Sequence, residues 1–127
     1  MITPDAINRP AIFAEVMAVF ARYENALVSN NVDVLDELFW DSKFTLRYGT
    51  GESLYGIDAI RAFRNARNPA GLERTLHNTV ITTFGDDFAT ANTEFQRDGK
   101  PRGRQSQTWV QLPEGWRVVA AHVSFLA

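Results

Sequence analysis

From Thr75 onward the chain consists of four strand-like segments, Thr75–Phe84, Phe88–Arg97, Arg104–Leu112 and Trp116–Phe125, rich in β-branched and aromatic residues. They are joined by Gly85-Asp86-Asp87, Asp98-Gly99-Lys100-Pro101-Arg102-Gly103 and Pro113-Glu114-Gly115, residue types that reverse a chain. A parallel crossover needs about a dozen residues or more, so each segment must lie antiparallel beside the next. The C-terminal part of the chain is therefore predicted to be an antiparallel meander.

The residues before it follow another period. Asn8 and Pro10 are helix start signals, and Ile12, Val16, Phe20, Tyr23 and Leu27 then recur at spacings of four, four, three and four. That is one apolar stripe, with Glu15 and Arg22 falling away from it. Asn30-Asn31 interrupts the pattern, and Val32–Phe39 reads as a shorter helix with Leu35 and Leu38 inward, giving a helical hairpin. From Phe44 the period is two: Phe44, Leu46 and Tyr48 on one side, Thr45 and Arg47 on the other, with Gly49 and Gly51 turning the chain into Glu52–Tyr55. Gly56 opens a third helix, Asp58 to Arg67, with Ile60 and Phe63 inward, and Asn68-Pro69-Ala70-Gly71 stops it. Helices followed by a meander make an α+β protein, predicted as one domain over 1–127 because no linker, repeat or low-complexity stretch interrupts it.

Composition narrows the partners. At 127 residues with 45% hydrophobic content the chain can bury a real core. Thirteen basic and fifteen acidic residues are interspersed, so there is no basic face for phosphates, and neither nucleic acid nor membrane is an expected partner. No apolar run approaches the ~20 residues that span a bilayer, and the N-terminus lacks a signal-peptide pattern. The absence of cysteine removes disulfides, thiolate metal sites and thiol nucleophiles, and a cytoplasmic location is the expectation.

Reading Asp98–Gly103 as a symmetric turn pairs Phe95 with Ser106 and Thr93 with Thr108, and the last turn sets Ala120 and His122 beside Thr108 and Ser106. One face then carries small and hydroxylated residues with an imidazole, Ser106, Thr108, His122 and Ser124 among them, as a pocket wall would. The other carries Gln105, Gln107 and Trp109, a mixture suited to a homodimer or dimer-of-dimers interface on the outer sheet face. A one-residue slip would exchange the two faces.

The candidates for chemistry each have a plain alternative. Tyr23 lies on the buried stripe, so its hydroxyl either bonds a backbone carbonyl in the core or serves as a proton donor in a pocket. Arg47 is a surface ion pair, half of a pair with Glu94, or a fork that grips a ligand carboxylate by two parallel hydrogen bonds. His77 and His122 have no acid at metal-ligand spacing, so no metal is expected; His122 orients a ligand or is a satisfied core histidine. Arg61, Arg64 and Arg67 are spaced as a solvated helix face, with Arg64, beside Phe63, the one that could turn inward. Glu94 is the sole acid well inside the last three strands, which leaves isomerase chemistry of the strand-acid kind little to use.

Arg47-Tyr48-Gly49, Glu52-Ser53-Leu54-Tyr55-Gly56, Ala91-Asn92-Thr93-Glu94-Phe95, Gln105-Ser106-Gln107-Thr108-Trp109 and Gly115-Trp116-Arg117-Val118-Val119-Ala120-Ala121-His122 resemble the oxalurate-catabolism and 1,3-dicarboxyurea decarboxylase family of small SnoaL-like proteins. The element order is likewise similar to the SnoaL-like, nuclear transport factor 2-like cystatin-like cone, a helical hairpin packed in a strongly bent antiparallel sheet. The resemblance implies a decarboxylase without cofactor, acting on a urea-derived dicarboxylate in s-triazine breakdown, with Tyr23 and Arg47 as the essential pair. Ser106, Thr108, His122 and Ser124 are expected to bind the rest of the substrate on the pairing register alone. A small-carboxylate binder or an accessory subunit of an amidohydrolase pathway is the alternative.

Overall fold

The apolar stripe forms helix α1 (Pro10–Val28), which buries Val16, Phe20, Tyr23, Ala26 and Leu27. The computed structural model describes residues 1–127. Asn30, at φ 52°, ends α1: its amide donates to the Leu27 carbonyl and that of Asn31 to Ala26, at 3.1 and 2.8 Å. This paired closure takes up carbonyls that the helix leaves open and turns the chain back. The side chain of Asn31 then caps α2 (Val32–Leu38) by accepting from the Val34 amide at 3.3 Å. A small hairpin, β1 (Leu46–Tyr48) and β2 (Ser53–Tyr55), leads into α3 (Ile57–Ala66). The meander is β3 (Thr75–Phe84), β4 (Phe88–Gln96), β5 (Gly103–Leu112) and β6 (Gly115–Phe125). No helix is long and apolar enough to cross a membrane.

The six strands form one sheet in the order β2-β1-β6-β5-β4-β3. The meander is antiparallel throughout, but β1 runs parallel to β6, with Arg47 beside Ala121. The sheet is therefore mixed where the sequence predicts a wholly antiparallel one. The short-turn argument governs sequential neighbours and is silent on strands whose connection is most of the chain. One sheet face packs on the helices: Ala89, Ala91, Trp109, Val118 and Ala121 share a single core cluster with Val16, Phe20, Tyr23, Leu35 and Ile60.

The β4–β5 register differs from the sequence expectation. The Lys100 amide donates to the Arg97 carbonyl at 3.2 Å, closing a tight turn around Asp98-Gly99, where Gly99 has φ 71°. Pro101-Arg102-Gly103 therefore lie on the β5 side of the turn, and the pairs are Phe95 with Gly103, Thr93 with Gln105, Ala91 with Gln107 and Ala89 with Trp109. The displacement is three residues, and an odd slip inverts every side chain. Ala91, Thr93 and Phe95 face inward as expected, but Gln105, Gln107 and Trp109 join them, all buried. Ser106 and Thr108 turn outward with His122 and Ser124, although Ser106 does pair with His122 and Thr108 with Ala120. A bulge between Thr108 and Trp109 then brings Val118 beside Trp109 on the inner face.

Gly103 holds this register in place. A Cβ there would overlap the ring of the fully buried Phe95, which also packs edge-on against Phe125 at 5.6 Å. We predict that Gly103→Ala lowers stability by about 1–3 kcal/mol through overpacking. An unchanged urea midpoint in that variant would mean that Phe95 can yield without cost.

Candidate active site

Tyr23 reaches from the middle of α1 into the space between helix and sheet. Its ring stands edge-on to Trp109, with centroids 6.3 Å apart, and is tilted on Phe39 at 6.1 Å. The ring is thus held by two fully buried aromatics, while the hydroxyl lines an inner chamber of about 50 Å³. Five arginines, Arg47, Arg64, Arg67, Arg74 and Arg97, wall the same chamber. Tyr23 and Arg47, the pair that the resemblance implies, both line this chamber.

Three of the five have carboxylate partners. Arg47 faces inward from β1 while Leu46 and Tyr48 face out, and its Nη1 donates to Glu52 across the hairpin at 2.8 Å. That approach requires Gly49, because a side chain at this position would occupy the space of the Glu52 carboxylate. Arg64 of α3 donates to Asp36 of α2 at 3.0 Å and stacks on Phe39 at 4.3 Å. Arg74, just before β3, makes a two-pronged pair with Glu24, at 2.9 and 2.6 Å, and donates to the Gln105 side-chain oxygen at 3.0 Å. Its guanidinium lies 4.5 Å from the Phe95 centroid.

Arg67 and Arg97 have none. The Nε and Nη2 of Arg67 and the Nε of Arg97 are buried without a hydrogen-bond acceptor. Arg97 stacks on Phe95 at 5.0 Å, and the one hydrogen bond of its guanidinium, to the Leu72 carbonyl, is 3.5 Å long. Burial pushes the pKa of Arg64, Arg67 and Arg97 down; neighbouring guanidiniums push the same way, and the Tyr23 phenol pushes all three up. Guanidinium remains charged at any working pH, so these groups present fixed positive charge to whatever enters.

The chamber adjoins a cleft of about 610 Å³, and Arg47, Arg67 and Arg97 line both. Phe63, Leu72 and Phe125 form apolar parts of the cleft wall, and the exposed Lys100 sits on its lining. Positive charge thus runs along the cleft wall from Lys100 to the three arginines that cleft and chamber share, a lining that attracts small anions.

The remaining predicted residues lie elsewhere. Ser106, Thr108 and His122 line a hollow of about 280 Å³ on the outer sheet face, where the His122 ring meets Tyr48 at 5.7 Å, and Ser124 pairs with Arg104 on that face. The three-residue register shift put them on the wrong side of the sheet. Trp109, expected at a partner surface, is fully buried and donates to Gln107 at 3.1 Å. Glu94 bonds Asn78 at 2.9 Å and Arg102 at 3.5 Å, and is paired with neither Arg47 nor Gln107. Arg64 does turn inward, but Arg67, Arg74, Arg97, Glu24 and Gln105 were missed. Arg97 alone had a signal: it continues the alternation of Thr93 and Phe95 on the inner face.

The family model described as AtzH-like matches residues 5–127. A crystal structure of a protein of unknown function from Pectobacterium atrosepticum is 59% identical, with full coverage of both chains and a TM-score of 0.99. A cystatin-like fold protein from Burkholderia xenovorans is 51% identical over 95% of this chain and 96% of its own, at a TM-score of 0.92. A nuclear transport factor 2-like superfamily protein from Salmonella enterica, 23% identical over 92% of each chain with a TM-score of 0.74, shares the fold. No curated protein matches.

The paired arginines give a stability test. Glu24→Gln strips the carboxylate from Arg74, whose side chain is 2% exposed, and should cost about 3–5 kcal/mol in urea unfolding. Glu37→Gln, which breaks the exposed pair with Arg22, should change stability by less than about 1 kcal/mol. Equal losses in the two variants would contradict this account.

Proposed function

We propose that this chain, which belongs to the AtzH-like family, is a cofactor-independent decarboxylase of a small urea-derived dicarboxylate, in the manner of 1,3-dicarboxyurea converted to allophanate. The nitrogen catabolism of s-triazines, or of purines and oxalurate, is the proposed setting. One observation carries the reading: a phenol with no hydrogen bond to the protein faces a chamber walled by guanidinium groups. A core tyrosine retained for packing alone would have its hydroxyl bonded to the backbone.

The chemistry needs little more. An N-carboxylate is a carbamate, whose nitrogen lone pair is conjugated into the carboxylate. In this reading Tyr23 gives its proton to that nitrogen, the carbon–nitrogen electron pair stays on nitrogen, and carbon dioxide departs. The negative charge left on the phenol oxygen lies among arginines until a proton returns from solvent through the cleft. A chamber of about 50 Å³ holds one carboxylate and the adjoining nitrogen, with the rest of the substrate at the neck. Arg47, whose Nη1 is engaged by Glu52, offers its remaining donors to a carboxylate and orients the nitrogen toward Tyr23. The interior carboxylates Glu24, Asp36 and Glu52 are each held by an arginine, which disfavours proton abstraction by a free carboxylate base.

We also propose a homodimer or dimer of dimers through the outer sheet face, which carries Tyr48, Ser106, Thr108 and His122 in place of the Gln107 and Trp109 first expected there. A solution mass of a single 14.3 kDa chain by light scattering would contradict this.

The reaction is tested by carbon dioxide release from dicarboxyurea. Tyr23→Phe should lower turnover by about 10²–10⁴-fold with folding intact, since one hydroxyl is lost. Arg47→Lys should fail to sustain it, because a point charge lacks the two-pronged grip. Full activity in Tyr23→Phe would remove the phenol from the mechanism, and tight binding with no turnover by the unaltered protein would favour the binder or accessory-subunit reading.

A further inference from the structure

The chamber does not balance its own charge. Its five guanidiniums face three carboxylates, Glu24, Asp36 and Glu52, and Arg67 and Arg97 are the two left over. The charged and titratable groups acting on Arg67 are Arg64, Arg47 and the Tyr23 phenol, with no carboxylate among them. Glu24 acts on Arg97, but both of its oxygens are taken by Arg74. Both are half-buried, with the Nε and Nη2 of Arg67 and the Nε of Arg97 enclosed and unpartnered, and arginine cannot relieve the cost of such uncompensated charge by losing a proton. Gln105, 3% exposed, adds an unpartnered amide donor to the same wall.

We propose that Arg67 and Arg97 form a clamp for a second carboxylate at the neck of the chamber and make the site selective for dianions over monoanions. This rests on the reading of the chamber as the reacting site and names the specificity residues that reading lacks. Both arginines line the inner chamber and the outer cleft, so a ligand with one carboxylate beside Tyr23 meets them with its other end. The two excess positive charges then match the ligand's two negative charges. Loss of carbon dioxide leaves a product with one charge, so one guanidinium is again uncompensated and the product is held less tightly than the substrate.

Binding of glutarate and butyrate, inert acids of similar length with two charges and one, tests the clamp at matched ionic strength. The protein should prefer glutarate by about 10–100-fold, the worth of one added charge-assisted contact. Arg67→Gln and Arg97→Gln should each cut that preference to within about 3-fold, while Arg61→Gln, on the exposed pair with Asp41, should leave it intact. Removing a repelled charge should also raise the melting temperature of Arg67→Gln and Arg97→Gln in the absence of ligand. No preference in the original protein, or preference surviving in both variants, would overturn the clamp. Lower melting temperatures in both would assign the two arginines to structural support and overturn it equally. Glutarate undergoes no reaction here, so Tyr23→Phe should keep the preference; a failed decarboxylase reading with an intact preference would leave the clamp standing.

Discussion

Positive charge enclosed between α1 and the sheet is the condition to which the rest of this structure answers. Five guanidiniums meet around one small chamber, and each must be met by an anion, an aromatic face or an incoming ligand. Glu24, Asp36 and Glu52 arrive from three different elements, α1, α2 and the turn before β2. Phe39 and Phe95 supply flat surfaces on which Arg64, Arg74 and Arg97 stack. The packing that builds the core and the packing that holds the charges are therefore the same packing.

This shared structure explains why the aromatic residues divide their work. Trp109 and Phe39 fix the Tyr23 ring from two sides, so the phenol oxygen is positioned by rigid surfaces and not by a hydrogen bond that would occupy it. Phe95 is wedged over Gly103 and against Phe125, and in turn supports two guanidiniums. A disturbance at the β4–β5 turn would travel through Phe95 to the chamber, although the turn itself touches no part of Tyr23.

Much of the architecture was legible in the chain. The stripe from Ile12 to Leu27 marked α1, Asn30-Asn31 marked its end, and the limits of β3 were read without error. Local period put Tyr23 on the buried stripe of α1 and Arg47 opposite Leu46 and Tyr48, but their pairing was implied by the family resemblance and not by either period. The binding wall was not. Ser106, Thr108, His122 and Ser124 were placed by a turn taken as six residues when Asp98-Gly99 forms a shorter one, and β-structure converts such a counting error into a reversal of faces. Arg67 and Arg74 were invisible for another reason: an arginine on a helix end or beside a strand has the same local pattern whether it faces water or a cavity.

Local periodicity, turn chemistry and connection length, all properties of neighbouring residues, were enough to set the helices, the meander, the inward side of α1 and the opposition of Arg47 to Leu46 and Tyr48 on β1. The parallel seating of β1 on β6, the gathering of five arginines and the excess of two charges over their carboxylates depend on residues up to 74 positions apart in the chain, as Arg47 and Ala121 are. Charge balance is a sum over everything brought within a few ångströms, and no segment contains the terms of that sum until the fold has assembled them.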